Sequence, residues 1–218
     1  PRRVALVTLG CKVNQCESAG IAERLRQRGH TLVGFEEEAD VCIVNTCTVT
    51  ARTDYQSRQL IRRAARRNPL SPVIVTGCYA QVAPDQLETL PNVRLVAGNL
   101  EKETIPDLVG TLNGGPPEVR VQDIGTARRF SGLTADRFPG RTRAFLKIQD
   151  GCNARCSYCI VPMARGPSRS MPFRDVLGRV EALSGAGYRE IVLTGVHLGA
   201  WGADLSPAMD LPSLLRGI

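Results

Sequence analysis

The chain has 218 residues, of which 43% are hydrophobic and 22% charged, and this composition is typical of a globular protein with one or two domains. No run approaches the roughly 20 apolar residues of a membrane-spanning helix and no signal peptide opens the sequence, so we expect neither a membrane protein nor a secreted one. The net charge of +7 permits a polyanionic partner, and eight cysteines without the density of a small secreted scaffold predict reduced thiols that bind metals in the cytoplasm.

Strands alternate with helices over the first half of the chain. Continuous apolar runs predict buried strands, and stretches with helical periodicity follow them. The predicted strands cover residues 4–9, 40–45, 72–77 and 92–98, and the predicted helices cover residues 17–28, 46–68, 85–90 and 99–112. Because this alternation is typical of βαβ units, we predict an α/β fold with a doubly wound parallel-sheet domain at residues 1–112.

Three cysteines directly follow three of these strands. Cys11, Cys47 and Cys78 each lie within two residues of a strand end. Because the carboxyl ends of parallel strands form one edge of a sheet, we expect the three thiols to converge there. Three convergent thiolates favour a cluster with one open iron, and the alternative is three small buried residues at helix starts. Cys42 lies inside an apolar strand and is expected in the core, while Cys16 is expected not to be a ligand.

A second unit follows a segment that is rich in glycine and proline. Residues 113–140 contain clusters of both residue types and predict a linker. Alternating apolar and polar residues at 143–149 predict a strand, and a helix at 172–186 with a strand at 190–194 completes one βαβ unit. This pattern predicts a second α/β domain that begins at residue 141.

Three more cysteines form a compact C-x3-C-x2-C motif just past the first strand of this unit. Cys152, Cys156 and Cys159 can ligate three irons of a 4Fe–4S cubane, which leaves the remaining iron open for catalysis. The alternative is a zinc loop, and zinc prefers four Cys or His ligands. No cysteine follows Cys159, and His30 and His197 are the only histidines, so the sequence favours the cluster.

With Tyr158 before its last cysteine, this motif resembles that of the radical S-adenosylmethionine superfamily. In that superfamily the open iron binds the amino and carboxylate groups of S-adenosylmethionine, which is split reductively to give a 5′-deoxyadenosyl radical. The resemblance implies that residues 141–218 form the first part of a (β/α) partial barrel. It also implies that Tyr158 and the strand end at Gly195, Val196 and His197 contact the cofactor. A helix-start or packing role is the alternative for His197.

The segments around the first three cysteines resemble the methylthiotransferases, a family with a three-cysteine domain ahead of a radical S-adenosylmethionine barrel. The matching segments are residues 8–15, 44–50 and 75–80. The resemblance implies that the cofactors are two 4Fe–4S clusters and S-adenosylmethionine. Both cysteine triplets are then metal ligands, with no catalytic residue beyond them, and the electron donor is a flavodoxin- or ferredoxin-like protein.

Residues 10–15, 141–152 and 193–199 resemble the MtaB-type branch of this family, which methylthiolates N6-threonylcarbamoyladenosine beside the tRNA anticodon. This resemblance implies that the partner is tRNA, bound at its anticodon loop. The alternatives are sister branches, which act on isopentenyladenosine in tRNA or on an aspartate of a ribosomal protein, and a non-catalytic metal-bearing RNA-binding module. A barrel of this family has about six βα units, so we expect an amino-terminal fragment that is inactive alone.

Two groups of arginines are candidates for contacts with RNA. The first group is Arg58, Arg62, Arg63, Arg66 and Arg67, and the second is Arg165, Arg169 and Arg174. Phosphate is a suitable counterion for the crowded cations of the first group, and a solvated helix surface is the alternative. The second group follows the C-x3-C-x2-C motif and is expected to meet RNA or the carboxylate of S-adenosylmethionine.

Overall fold

Six parallel strands form the central sheet in the first part of the chain. The computed structural model describes residues 1–112, 115–138 and 140–218. The strands are β1 (Arg3–Thr8), β2 (Thr31–Val33), β3 (Val41–Thr46), β4 (Val73–Gly77), β5 (Val93–Ala97) and β6 (Glu118–Arg120). Their order across the sheet is β2-β1-β3-β4-β5-β6, and every neighbouring pair is parallel. This arrangement confirms the predicted α/β fold with a parallel sheet.

Helices cover both faces of this sheet. They are α1 (Lys12–Gln27), α2 (Ala51–Arg67), α3 (Cys78–Val82), α4 (Asp85–Glu88) and α5 (Ile105–Leu108). On one face, Ile21 and Leu25 of α1 share a core with Ile105 of α5. On the other face, Ile61 and Ala64 of α2 lie in a separate core. The sheet is therefore doubly wound, and its central strands are buried on both sides, as their continuous apolar runs predict.

Three predicted helices differ from the structure. Helix α1 begins at Lys12 rather than at residue 17. Helix α2 begins at Ala51 rather than at residue 46, because the side chain of Thr50 caps it and accepts a 3.2 Å hydrogen bond from the Thr53 amide. The helix predicted at 99–112 is instead a 3-10 turn at Glu101–Thr104 followed by the short α5. Pro106 stands in the first turn of α5, where its missing amide hydrogen costs no helical hydrogen bond. That proline favours a new helix start over one continuous helix.

The sequence pattern predicts neither β2 nor β6, and β6 lies inside the segment 113–140 that was expected to be a linker. It pairs with β5 through the register of Leu95 with Glu118. Positions 113, 114 and 139 of the predicted linker lie outside the described residues. The segment therefore supplies an edge strand of the sheet as well as a connection.

The second part of the chain contains a parallel βαβ unit. Its elements are β7 (Ala144–Lys147), β8 (Gln149–Asp150), α6 (Val161–Arg165), β9 (Arg169–Ser170), α7 (Phe173–Gly185), β10 (Ile191–Thr194) and α8 (Leu211–Gly217). Strand β10 lies parallel to β7, with α7 between them in sequence, and β8 pairs antiparallel with β9. The βαβ unit is therefore as predicted, except that the strand expected at 143–149 is divided into β7 and β8.

Helix α1 packs against both parts of the chain. Its Ile21 lies in the core under the six-stranded sheet, whereas its Cys16 lies in a second core with Phe145, Leu146 and Trp201. The same helix begins one residue after Cys11, so it fixes the first cysteine loop relative to both cores. Across residues 1–112, 115–138 and 140–218, no helix is long and apolar enough to cross a membrane.

Candidate functional site

Cys11, Cys47 and Cys78 lie at the carboxyl ends of three adjacent strands. The strands are β1, β3 and β4, which are neighbours in the sheet. The chain reverses its direction of winding between β1 and β3, and open α/β sheets bind ligands in the crevice at such a switch point. Burial raises the pKa of the Cys47 thiol, and the nearby thiols of Cys78 and Cys11 add to that rise. The structure therefore brings these three predicted site residues together.

Polar side chains connect the three loops that carry these cysteines. The side-chain nitrogen Nδ2 of Asn14 donates to the backbone carbonyl oxygens of Leu9 at 2.8 Å and Thr46 at 2.9 Å, which joins the first loop to the second. The hydroxyl of Thr46 donates to the carbonyl oxygen of Thr76 at 2.5 Å, which joins the second loop to the third. The sequence assigned no role to Asn14 or Thr46. The only signal for them in the sequence is that each is a polar residue within three positions of a cysteine.

Gly10 allows the first two cysteine loops to approach closely. Its φ of +103° is left-handed, which glycine adopts without steric cost. A Cβ at this position would lie 2.8 Å from the Cβ and 3.0 Å from the Sγ of Cys47. The first two cysteine loops can therefore approach each other this closely only because residue 10 has no side chain.

Replacing Gly10 by alanine is expected to lower the free energy of unfolding by about 2–5 kcal/mol, since left-handed strain adds to overpacking against Cys47. Urea denaturation followed by circular dichroism measures the change. Gly29→Ala is the matched control, because Gly29 also has a positive φ, +79°, but nothing lies within 4 Å of its added Cβ. Equal losses in the two variants would show that contact with Cys47 contributes nothing.

The donor set at this edge fits an iron–sulfur cluster. All eight cysteines are free, with Cys11 exposed and Cys47 and Cys78 buried. Within the described ranges, no three His, Cys, Asp or Glu side chains gather tightly enough to hold a single metal ion. A cubane places each thiolate on a different iron, so its cysteine ligands stand farther apart than the ligands of one ion. Three free thiols on three loops are the donors that such a cluster requires.

The other two cysteines of the first part of the chain have packing roles. Cys42 lies in the core of the sheet, which confirms its predicted position, and Cys16 lies in the core of the second part. Burial raises the pKa of both thiols to about 12. Because both side chains pack inside hydrophobic cores rather than on the cysteine loops, packing is their role.

Cys152, Cys156 and Cys159 lie on one loop that follows β8. The Cys159 amide donates to the carbonyl oxygen of Cys156 at 3.0 Å, which folds the C-x2-C end of the motif into a turn. Gly151 precedes this loop with a φ of +68°, and a Cβ there would lie 2.0 Å from the carbonyl oxygen of Pro167. The loop is therefore held tightly at its base, while its thiols are exposed or half-exposed.

The predicted contacts for S-adenosylmethionine lie close to this loop. Gly195, Val196 and His197 follow β10, next to β7 in the second sheet. The Gln149 side chain accepts from the His197 amide at 2.7 Å and donates to the Gly151 carbonyl oxygen at 2.7 Å. In addition, Nδ1 of His197 lies 4.0 Å from Sγ of Cys152. Gln149, to which the sequence assigned no role, thus fixes the strand end beside the cysteine loop.

Tyr158, the remaining predicted cofactor contact, lies between the second and third cysteines of the motif. It is 89% exposed, so its ring is not part of a core. The aromatic side chain is therefore available to a ligand at this loop, and its role stays a prediction.

A cluster of buried ionic side chains lies between the two cysteine sites. We call it the buried charge cluster, and its members, each less than 5% exposed, are Glu17, Lys102, Lys147, Asp150 and Arg165. Lys147 Nζ lies 2.9 Å from Glu17 Oε1 and 3.2 Å from Asp150 Oδ2. Arg165 Nη1 lies 2.9 Å from Glu17 Oε1 and 3.0 Å from Asp150 Oδ1, and Lys102 pairs with Glu17.

This cluster connects the first cysteine site to the second. Arg165 also donates to the side-chain oxygen of Asn14, the residue that joins the loops of Cys11 and Cys47. Asp150 lies two residues before Cys152, and its Oδ1 accepts from the Gly151 amide at 2.8 Å. A continuous path of hydrogen bonds therefore runs from one set of cysteines to the base of the other.

The burial of Arg165 and Arg169 in ionic contacts contradicts their expected contact with RNA, whereas contact with the carboxylate of S-adenosylmethionine stays a prediction. Arg169 donates to the carbonyl oxygens of Pro167 and Arg165 and lies 3.7 Å from Asp150. Neither guanidinium is exposed enough to meet RNA. Arg174, in contrast, lines a cavity of about 710 Å³ between residues 128–134 and α7, and no candidate cysteine ligand lines that cavity.

The arginines of α2 are partly engaged within the protein. Arg63 and Arg67 pair with Glu36, and Arg58 donates to the hydroxyl of Tyr79. Three of the five arginines therefore have partners within the protein, which favours an ordinary helix surface over a phosphate-binding one.

Two family models match the chain. The model described as "Uncharacterized protein family UPF0004" matches residues 3–98, and the model described as "Radical SAM superfamily" matches residues 146–201. The first match contains strands β1 to β5 with Cys11, Cys47 and Cys78, and the second contains the loop with Cys152, Cys156 and Cys159.

Curated relatives and solved structures extend these matches. A relative from Bacillus subtilis, named threonylcarbamoyladenosine tRNA methylthiotransferase MtaB, is 43% identical over 93% of this chain and 45% of the relative. A relative of the same name from Aquifex aeolicus is 40% identical over 93% of this chain and 50% of the relative. Ribosomal protein uS12 methylthiotransferase RimO of Roseiflexus is 34% identical over 96% of this chain and 49% of the relative. The radical S-adenosylmethionine methyltransferase TsrM of Kitasatospora setae has the same fold, with a TM-score of 0.60 at 18% identity over 100% of this chain and 50% of that chain.

The chain spans about half the length of the curated relatives it matches. Within that span, both cysteine triplets lie inside the segments that the family models match. Over nearly its whole length the chain is thus similar to curated methylthiotransferases, and its second part matches the radical S-adenosylmethionine superfamily model.

Proposed function

We propose that the whole protein is a tRNA methylthiotransferase that attaches a methylthio group to C2 of N6-threonylcarbamoyladenosine next to the anticodon. The observation that carries this proposal is the pairing of two three-cysteine sites, which one buried charge cluster links. The names of the Bacillus and Aquifex relatives support the choice of substrate. Because the substrate is tRNA, the protein acts in the cytoplasm.

Each cysteine triplet has a separate task in this proposal. Cys11, Cys47 and Cys78, in the domain at residues 1–112, would hold one 4Fe–4S cluster. Cys152, Cys156 and Cys159, in the domain that begins at residue 141, would hold the second. When bound, these clusters and S-adenosylmethionine supply reductive cleavage, hydrogen abstraction and sulfur donation, with electrons from a flavodoxin- or ferredoxin-like protein.

The residues around the loops bind and orient these groups. Gly195, Val196 and His197 form the edge that contacts S-adenosylmethionine, and Gln149 holds this edge beside the loop of Cys152 through two 2.7 Å hydrogen bonds. Tyr158 is exposed on the same loop, where its ring would be available to the cofactor. Positioning of this kind is what the protein contributes when cofactors carry the chemistry.

The test is the methylthio content of tRNA in a bacterial strain whose own MtaB-type gene is deleted. The full-length protein is expected to restore 2-methylthio-N6-threonylcarbamoyladenosine, measured by mass spectrometry of digested tRNA. The Cys152→Ala variant is expected to give background levels, and Cys42→Ala, a core substitution, is expected to retain the modification. Unmodified N6-threonylcarbamoyladenosine with the folded wild-type protein would contradict the proposal.

A sister activity is the second candidate, since a relative named for ribosomal protein uS12 is 34% identical. The same strain distinguishes the two candidates. Methylthiolated aspartate in the ribosomal protein, with unchanged tRNA, would replace the tRNA proposal. A folded protein that binds RNA and zinc but no iron after anaerobic reconstitution would instead indicate a non-catalytic RNA-binding module.

A further inference from the structure

The buried charge cluster contains more positive than negative charge. Three cations, Lys102, Lys147 and Arg165, face two carboxylates, Glu17 and Asp150. Arg169 adds a further cation at the edge of the cluster, 3.7 Å from Asp150. The cations of this buried region therefore outnumber its carboxylates, and the region carries a net positive charge.

An excess charge in a buried region requires a counterion. Removing an ion from water costs several kcal/mol unless an opposite charge compensates it, so a protein does not retain such an excess without an anion nearby. The excess lies close to one cysteine site in particular. Helix α3, which begins at Cys78, packs against α6, which ends at Arg165.

Hydrogen bonds and ion pairs connect the two cations to the cysteine loops. Arg165 donates to the side-chain oxygen of Asn14, and Asn14 in turn joins the loops of Cys11 and Cys47. Lys102 pairs with Glu17, the carboxylate that Arg165 also contacts. The excess charge therefore lies beside the first cysteine site, where the compensating anion is expected.

We propose that Lys102 and Arg165 are positioning residues whose buried positive charge stabilises an anionic group held by Cys78 together with Cys11 and Cys47. The inference rests on the proposed function, in which that group is a 4Fe–4S cluster. Three thiolates give such a site a net negative charge, and reduction by one electron increases it. A buried positive charge next to the site favours the more negative, reduced form and shifts the midpoint potential to a less negative value.

The test measures the potential of this site alone. The full-length protein carries Cys152→Ala, Cys156→Ala and Cys159→Ala, so that only the first site can hold a cluster. After anaerobic reconstitution, one-electron reduction by dithionite is followed by electron paramagnetic resonance against a reference electrode. Lys102→Met is expected to shift the midpoint to a more negative potential, whereas Lys102→Arg, which keeps the charge, is expected to stay near wild type.

A substitution of opposite sign separates charge from packing. Asp150→Asn removes a negative charge and is expected to shift the midpoint to a less negative potential, which general loosening of the structure does not explain. Lys12→Met is the control, because Lys12 is adjacent to Cys11 in sequence but exposed, and water screens its charge. It is expected to shift the midpoint less than Lys102→Met does.

Each outcome decides between separate claims. Equal midpoints in all variants, or shifts of the same sign for Lys102→Met and Asp150→Asn, would overturn the inference while leaving the cluster in place. If Lys102→Met does not fold, Asp150→Asn alone still tests the sign of the shift. Absence of iron from the folded wild-type site would instead contradict the proposed function, on which the inference depends.

Discussion

Replacing Glu17 by glutamine is expected to lower the free energy of unfolding by about 3–5 kcal/mol, the usual cost of removing one partner from a buried ion pair. Glu17 pairs with Lys102, Lys147 and Arg165, and its side chain is only 4% exposed. Glutamine keeps the size of the side chain but leaves Asp150 as the only carboxylate of the buried charge cluster. Because a domain of this size has a total stability of about 5–15 kcal/mol, the loss is a large fraction of it.

Glu23→Gln is the matched control on the same helix. Glu23 lies 3.5 Å from Arg26 and is 26% exposed, so water screens its ion pair. An exposed pair of this kind contributes about 0–1 kcal/mol. Urea denaturation of the two variants measures the difference, and a similar loss in both would mean that the buried ion pairs add nothing beyond those at the surface.

The same substitution is expected to change how stability depends on pH. Burial alone raises the pKa of Glu17, but the charges of Arg165, Lys102 and Lys147 outweigh burial and hold it well below its usual range. A carboxylate with a lowered pKa stabilises the fold above its unfolded pKa, about 4.3, and this contribution is lost as the pH falls toward the folded pKa. Wild type is therefore expected to lose more stability between neutral pH and acid than Glu17→Gln. Equal slopes in urea titrations would contradict this role.

The position of the first three cysteines could be predicted from sequence because it depends on short-range signals. Each apolar run is long enough to identify a buried strand, and each cysteine lies directly after one. The carboxyl edge of a parallel sheet then brings the loops together whatever the distance in sequence. Strands β2 and β6 were missed because each has only three residues, too few for a periodic pattern to emerge.

The buried charge cluster could not be predicted, because its contacts join residues far apart in the chain. Glu17 and Arg165 are separated by 148 positions, and Glu17 and Lys102 by 85. Charged residues are mostly exposed, so the sequence alone predicts surface positions for them unless their partners are known. Lys147 illustrates the difficulty: the alternation around it predicts a polar face, yet all four residues of β7 are buried.

Removing either cysteine triplet is expected to halve the iron content of the full-length protein. After anaerobic reconstitution the wild type should hold about eight irons, and each triple variant about four, since three thiolates are required to hold each cubane. One variant carries Cys11→Ala, Cys47→Ala and Cys78→Ala, and the other carries the same changes at Cys152, Cys156 and Cys159. Iron and sulfide analysis measures the content, and circular dichroism confirms that each variant is folded.

Cys16→Ala with Cys42→Ala is the control for this experiment, because it removes two cysteines without removing a proposed ligand. Both side chains are buried in hydrophobic cores, away from the two cysteine loops, so the double variant is expected to retain about eight irons. About four irons in both the wild type and the first triple variant would reduce Cys11, Cys47 and Cys78 to packing residues. The proposed sulfur-donating site would then be lost, whereas the loop of Cys152 would still support radical chemistry, because the two triplets lie on separate elements of the fold.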